Sequence, residues 1–315
     1  MISQEQFDWL SDLMPLYAAQ AAWDEGSYLD PTHMQLLYQP RGAFAIACGA
    51  GLLAEHIRRF RITPQLIQRL GQVTDAQGRC VFHESFLNHL QRLRLRVQVN
   101  IAPEGSLLLP GEPLLVVQGP LLQVRLLSSA FHFLLWESTH WASEAALRRW
   151  AGADFAEEDT PGSPSYPFNP QGWKIRAAYI GGASADEILD NVPRTAPAMQ
   201  PGEGLVRVEH RTGSPLQQIR RLFKGNQALG DLWLSPEQEE KASVSKTSTR
   251  LLDQRSGQPL DISMTRFQNL YQPVLVKGHP VLASPRLGYL RQRTLKQLEV
   301  FKAHNLTQYP QGWLD

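Results

Sequence analysis

The stretch Val99–Trp136, VNIAPEGSLLLPGEPLLVVQGPLLQVRLLSSAFHFLLW, constrains the fold of this chain more than any other segment. Two apolar strand-like runs, Ser106–Leu109 and Pro113–Val117, flank a Pro110-Gly111 turn. A Gly119-Pro120 break then leads into a helical pattern carrying Leu121, Val124, Leu127, Phe131 and Leu134. Read locally, this is a β-hairpin feeding a buried helix, which points to an α/β chain and names no chemistry.

The bulk properties narrow the class. At 315 residues and 43% hydrophobic, the chain is long enough for one large or two ordinary domains with a true core. Its net charge of +1 gives no bulk attraction to nucleic acid or to an anionic membrane. Local basic clusters at His56–Arg61 and Arg92–Arg96 read as solvated faces. The two cysteines, Cys48 and Cys80, form no CxxC pair and have no histidine at metal-ligand spacing, so both are expected as buried thiols in a reducing compartment. The N-terminus lacks a cationic start before an apolar core, and no apolar run reaches the roughly 18–20 residues of a membrane span. The expectation is a cytoplasmic protein, with no metal.

Along the chain, Phe7, Leu10, Leu13, Met14, Tyr17 and Ala21 recur at helical spacing, and Met34–Tyr38 follows as a short strand. Phe44–Ile57 reads as helical, Thr63-Pro64 as an N-cap and first helical position, and Phe82–Leu93 as an amphipathic helix. Arg94–Val99 alternates charged and apolar residues, as an edge or half-exposed strand would. From Leu121 to Trp150 the helical pattern reads as two helices in sequence. Ala153–Gly172 and Val192–Gly204 read as loops, on either side of helices at Trp173–Ile180 and Ser184–Leu189. Leu205–Val208 is a strand candidate and Leu216–Phe223 a helix candidate. The tail alternates strands (Leu251–Asp253, Pro273–Val276) with turns at Ser256-Gly257 and Lys277-Gly278, then closes on a basic helix, Gly288–His304.

Unaided chemistry is thin, because no P-loop, G-x-G-x-x-G, HExxH or G-x-S-x-G is present. Gly49-Ala50-Gly51 before a helix reads as a tight turn, with phosphate binding by its amides as the sharper alternative. His132 and His140 share a helical face and read as core stacking. Glu209-His210, followed by Arg211, Thr212, Gly213 and Ser214, is the best catalytic candidate: a histidine at the end of a strand beside small hydroxylated residues can meet an anion.

The wording of several segments adds organisation. Val99–Trp136 resembles the "PEGT…PGEPLL.VEGPL…LLNLL" signature of the nicotinate phosphoribosyltransferases, and Lys174–Gly182, KIRAAYIGG, resembles another phrase of that family. Ser11–Trp23 is similar to its opening "TDLYQLTMAQAYW", and Phe44–Leu52 to "YAVAAGLE". Lys241–Asp253, Gln272–His279 and Leu290–Pro310 are similar to its closing strands, last helix and "YPV" tail. The order is kept throughout. The resemblance implies an α/β fold: an N-terminal sandwich (1–120) completed by C-terminal strands and helix (235–315), joined to a reduced barrel-like region (121–234). It also implies nicotinate and 5-phosphoribosyl pyrophosphate as substrates, nicotinate mononucleotide and pyrophosphate as products in NAD salvage, and coupling to ATP and magnesium. His210 is the counterpart of the "THAHS" histidine, the catalytic position, while Tyr17 and Arg176 are the substrate-binding candidates.

Departures from the family pattern are equally specific. Met14 stands where the tyrosine of "TDLYQ" falls, with Tyr17 one helical turn on. Leu36-Leu37-Tyr38-Gln39 replaces "FFRK", and an acidic, proline-rich FAEEDTPGSPSYPFNP precedes KIRAAYIGG in place of "FGLRRAQG". Ser184-Ala185-Asp186-Glu187 replaces "GTSN". The interval between Leu121 and Leu234 holds about half the roughly 250 residues a closed eight-unit barrel needs, so the barrel is expected to be truncated and unclosed. Two readings follow. One is a shortened, diverged phosphoribosyltransferase whose site a partner subunit helps complete. The other is a catalytically inactive ligand-binding or protein-interaction module. Either favours a homo-oligomer or a protein partner over the exposed barrel edge.

Overall fold

A computed structural model describes residues 13–39, 44–109, 112–150, 176–183, 204–211, 218–224, 227–234, 249–252, 259–262, 267–269, 271–282 and 285–303. The chain divides into two compact units, Met1–Thr212 with Pro273–Asp315, and Gly213–Gln272. The expected loops at 153–172 and 192–203, the expected helix at 184–189 and the turn at 256–257 lie outside the described residues.

The larger unit is built on a six-stranded sheet. Its strands are β1 (Pro31–Gln39), β3 (Gln98–Ile101), β5 (Pro113–Pro120), β6 (Gly204–Arg211), β12 (Gln272–Val276) and β13 (His279–Pro280), in the order β13-β12-β3-β5-β1-β6. The C-terminal strands β12 and β13 thus complete a sheet begun near the N-terminus, as the family resemblance implies. β1 pairs antiparallel with both β5 and β6, and β3 pairs antiparallel with β5. Because side chains alternate along a strand, the registers sort the sheet into two faces. Met34, Leu36, Val99, Ile101, Leu115 and Val117 fall on one face and are buried. Gln98, Gln118 and His33 fall on the other and are not buried, although Val116 on that same face is. A two-residue turn joins β12 to β13, with Lys277 at φ 49° and Gly278 at φ 81°, the left-handed pair that matches hairpin twist.

Helix α1 (Leu13–Asp24) buries Leu16, Ala19 and Ala22 against α5 (Leu121–Trp150). Gln20 of α1 fixes the approach to α4 (Glu84–Gln91), donating to the Val81 carbonyl at 2.8 Å and accepting the His83 amide at 2.9 Å. In α3 (Pro64–Gly71) the Thr63 hydroxyl accepts the Leu66 amide at 3.2 Å with proline at the first position, the start expected from Thr63-Pro64.

α5 is one continuous helix, where two in sequence were expected. It has 30 residues, about 45 Å at 1.5 Å per residue. Apolar residues are buried on nearly all its sides, including Val124, Leu127, Phe131, Leu134, Leu135 and Ala142, as befits a central helix. Its mid-helix hydroxyls do not break it, because they bond to carbonyls one turn back: Ser138 to Leu134 at 3.0 Å and Ser143 to Thr139 at 2.6 Å.

The expected helix from Phe44 is a short strand, β2 (Ala45–Ile46), followed by α2 (Ala50–Arg59). The expected hairpin of Ser106–Leu109 with Pro113–Val117 does not form. β4 (Leu107–Leu108) pairs with β2, while β5 pairs with β3 and β1, so the two runs serve different sheets. Leu107 and Leu108 are both buried, a pattern that one-faced hairpin pairing would not satisfy. β3 begins at Gln98 and is interior to its sheet, between β12 and β5, so of the two readings the half-exposed one applies: its residues alternate between exposed or half-buried and buried. The C-terminal helix, α6 (Leu287–Ala303), closes a second core in which Phe44, Ile46, Leu107, Trp141, Ala177, Ile180, Leu290 and Phe301 meet.

The smaller unit is β-structure. β7 (Gln218–Lys224) lies between β8 (Gln227–Leu234) and β11 (Phe267–Asn269), and β9 (Thr249–Leu252) pairs with β10 (Pro259–Ile262). β7 occupies the segment expected as helix 216–223. Lys224 is paired with Gln227 at the end of a seven-pair antiparallel register with β8, and that cross-strand pairing overrides the local helical spacing. Among the described residues no set of strands closes into a barrel, and no helix is long and apolar enough to cross a membrane.

Candidate functional site

Three of the signature segments meet at one buried ion pair. Gly49 has φ 104° and precedes α2, whose first-turn amides need acceptors. A side chain there would press on Leu135 Cδ2 at 3.0 Å and Ser138 Cβ at 3.1 Å, so the left-handed bend and the close approach to α5 both require glycine. α2 has no side-chain cap of its own and no acid in its first turn. Glu104, from the loop between β3 and β4, supplies that charge, accepting the Gly49 amide on Oε1 at 2.9 Å.

Arg176, at the start of the described helical residues 176–180, donates through Nη1 to Glu104 Oε1 at 2.6 Å and through Nη2 to Oε2 at 2.7 Å. The pair is bidentate and almost dry, with the two side chains 9% and 2% exposed. Burial alone would raise the Glu104 carboxyl. The Arg176 guanidinium and the amides of Gly49 and Gly51 outweigh it and hold that carboxyl below the usual range. Burial likewise disfavours the Arg176 charge, but Glu104 reverses this and the guanidinium is held more firmly protonated than usual.

The loop carrying Glu104 is tied from two more sides. Gly105 donates to the Ala47 carbonyl and the Ala47 amide to Ser106, both at 2.8 Å. From α6, Arg293 donates to the Glu104 carbonyl at 3.0 Å and Thr294 to the Gly105 carbonyl at 3.2 Å. α5 completes the enclosure: Thr139 donates to the Cys48 carbonyl at 3.1 Å, and Ser143 accepts the Ile46 amide at 2.9 Å. The Gly49 amide, considered from sequence as a phosphate donor, therefore serves an internal carboxylate.

Cys48 lies inside this cluster, and burial, with the Glu104 charge adding to it, pushes its thiol up to about 12. Cys80 is exposed, contrary to the expectation of two buried thiols, because it sits in the Thr74–Cys80 bridge of a surface turn. A thiol reagent at neutral pH is expected to titrate one equivalent quickly on the native protein, at Cys80. The second should appear only on unfolding. Two fast equivalents would contradict this burial.

The remaining sequence candidates lie elsewhere. Tyr17 on α1 is 39% exposed and packs against Phe82 with the rings tilted by 33° and their centroids 5.4 Å apart. His210 lies within β6, two residues further into the strand than the expected end at Val208, and is paired in register with His33 of β1. His140 stacks on Trp136 at 5.5 Å, in line with the core reading. Among the described residues no three histidine, cysteine or carboxylate side chains converge to hold a metal, so no step is assigned to one. Glu104 was missed by sequence reasoning: its signal, a lone acid between proline and glycine amid apolar strands, marks a charge bound for burial, but its partner lies 72 residues away.

The completed sheet, the central helix and the absence of a closed barrel among the described residues define an unclosed α/β architecture of the type II phosphoribosyltransferase class. Two solved structures share it: human nicotinic acid phosphoribosyltransferase (TM-score 0.68, 16% identity, covering 92% of this chain and 94% of that one) and nicotinate-nucleotide pyrophosphorylase from Pyrococcus furiosus (TM-score 0.52, 11% identity, covering 92% and 95%). In sequence, the chain is 35% identical to human nicotinate phosphoribosyltransferase over 150 residues, which are 46% of this chain and 27% of the relative. It is 24% identical to the Bacillus subtilis enzyme over 178 residues, 56% and 35% respectively. No family model matches. The chain is similar to the nicotinate phosphoribosyltransferases in sequence over about half its length, and the match spans about a quarter to a third of the length of these curated relatives.

Proposed function

We propose that this protein acts in pyridine nucleotide salvage as a nicotinate phosphoribosyltransferase-like protein, taking nicotinate and 5-phosphoribosyl pyrophosphate as ligands. The observation that carries this reading is the fold shared with human nicotinic acid phosphoribosyltransferase over 92% of the chain. In this reading His210 is the catalytic residue and Tyr17 contacts substrate. Arg176, gripped on both nitrogens by Glu104, supports the pocket as a positioning residue. Magnesium would enter with the pyrophosphate of the substrate, and ATP through the family's coupling. The division at 1–120, 121–234 and 235–315 and a cytoplasmic homo-oligomer belong to the same proposal.

Calorimetry with nicotinate, phosphoribosyl pyrophosphate and nicotinate mononucleotide, followed by a pyrophosphate-release assay, tests it. Binding with turnover that falls about 10²–10⁴-fold in His210→Ala is the expected result. Failure of the folded protein to bind any of the three overturns the reading. One observation favours a second reading, a binding or interaction module without turnover: Arg176 and the Gly49 amide, the groups best suited to phosphate, are both engaged by Glu104. Binding without pyrophosphate release would select it.

A further inference from the structure

We propose that Arg94, Arg96 and Lys277, flanked by Arg92, form a surface site for a compact polyphosphate anion, apart from the Glu104–Arg176 cluster. The segment 92–97 and the Lys277-Gly278 turn meet where β3 begins and β12 ends. Gln123 of α5, only 5% exposed, donates to the Arg94 carbonyl at 3.1 Å and accepts the Arg96 amide at 2.7 Å. The Gly278 amide donates to the Val97 carbonyl at 3.2 Å, and a side chain at Gly278 would collide with the Leu95 carbonyl. Residues 94 and 96 thus bond to α5, while 95 and 97 meet the turn. That is the pattern of an extended backbone, in which successive side chains take opposite faces. Burial follows it: Val97 is fully buried and Leu95 half-buried, while Arg94 and Arg96 are exposed. The two arginines share the outer face about 6–7 Å apart along the chain, with exposed Lys277 on the adjoining turn.

The charge of this group is not neutralised locally. Residues 92–101, β12, the 277–278 turn, β13 and the first turn of α5 contain no acid. Among the described residues, Arg92, Arg94, Arg96 and Lys277 make no ion pair, whereas Arg58, Arg59, Arg79 and Arg176 are each paired with a carboxylate. Asp30, whose carbonyl accepts the Leu121 amide, is the acid that meets the start of α5, and it pairs with none of the four. Gln123 also places the positive end of the α5 dipole against the segment. In a chain of net charge +1 this concentration is a local feature. Two guanidinium forks and an ammonium suit phosphate oxygens, which arginine binds in bidentate fashion and lysine as a point charge. Single-stranded nucleic acid fits less well, because it calls for rings on which bases stack, and the exposed rings Tyr17, Phe133 and Tyr289 lie on α1, mid-α5 and α6.

The site neither requires nor excludes turnover of nicotinate, and inorganic tripolyphosphate tests it. Isothermal titration of the full chain at low salt is expected to show binding that weakens at least about tenfold in the Arg94→Gln, Arg96→Gln double variant. Lys277→Gln alone should weaken it as well. Arg148→Gln removes one exposed charge about 40 Å away, near the far end of α5, and should bind as the parent does. Because all these side chains are exposed, the variants should melt as the parent does. Absence of binding by the parent, unchanged binding in the double variant or in Lys277→Gln, or an equal loss in Arg148→Gln overturns the proposal. A parallel titration with ATP separates the sources of the anion: equal affinity assigns recognition to the phosphates alone, and tighter binding of ATP assigns it to a nucleotide. A single-stranded oligonucleotide that binds more tightly than either, with the same loss in the double variant, overturns the choice of a compact ligand.

Discussion

Arg176→Met is expected to lower the unfolding free energy by about 3–5 kcal/mol, because it strands the Glu104 carboxylate in a dry site with only backbone amides to hold it. The measurement is the denaturant midpoint at neutral pH, read alongside the transition slope. The double variant Glu104→Leu with Arg176→Met should recover more than half of that loss, since removing both charges also removes the cost of burying them. A double variant as unstable as the single would show that the charges themselves carry the fold. The pair also fixes a pH dependence. The Glu104 carboxyl is held below its usual range in the folded chain, so its contribution is fully present above the unfolded pKa near 4.5. It is lost as pH falls through the lower folded value. Stability should therefore drop on acidification, and Glu104→Gln should flatten that drop.

Gly105→Ala is the second large effect, expected to cost about 2–3 kcal/mol. Gly105 has φ 77°, and a methyl group there would stand 2.5 Å from the Leu290 carbonyl oxygen and 3.0 Å from Thr294 Oγ1. The strain and the overlap act together, because α6 cannot retreat without loosening the Arg293 and Thr294 bonds to the same loop. Thermal melting reads it directly. Gly26→Ala is the useful comparison: φ there is also positive, at 74°, but the space around it is open. Equal losses at the two positions would assign the whole effect to backbone strain.

What the sequence made legible follows the range of each interaction. The Thr63 cap, the Lys277-Gly278 turn and the buried faces of α4 are local patterns, and all stand where the spacing places them. Errors arose where distant partners decided the outcome. Ser106–Leu109 reads as half of a hairpin until Ala45 and Ile46, some sixty residues earlier, claim Leu107 and Leu108. β7 reads as a helix on its own spacing and becomes a strand because β8 and β11 pair on its two sides. At the candidate site, sequence brought out Arg176 and the Gly49 turn separately. It gave no sign that Glu104 joins them, since nothing in Pro103-Glu104-Gly105 names a partner 72 residues away.

That junction bears on how the chain's ancestry is read. A glycine turn, a Pro-Glu-Gly loop and an arginine from three distant segments are held by one charge balance, and α6 fastens the loop to it. A chain can keep all three for the sake of this packing, whether or not it has a reaction to catalyse. Likeness in these phrases therefore speaks for the scaffold. Evidence of chemistry has to come from positions the scaffold leaves free to change.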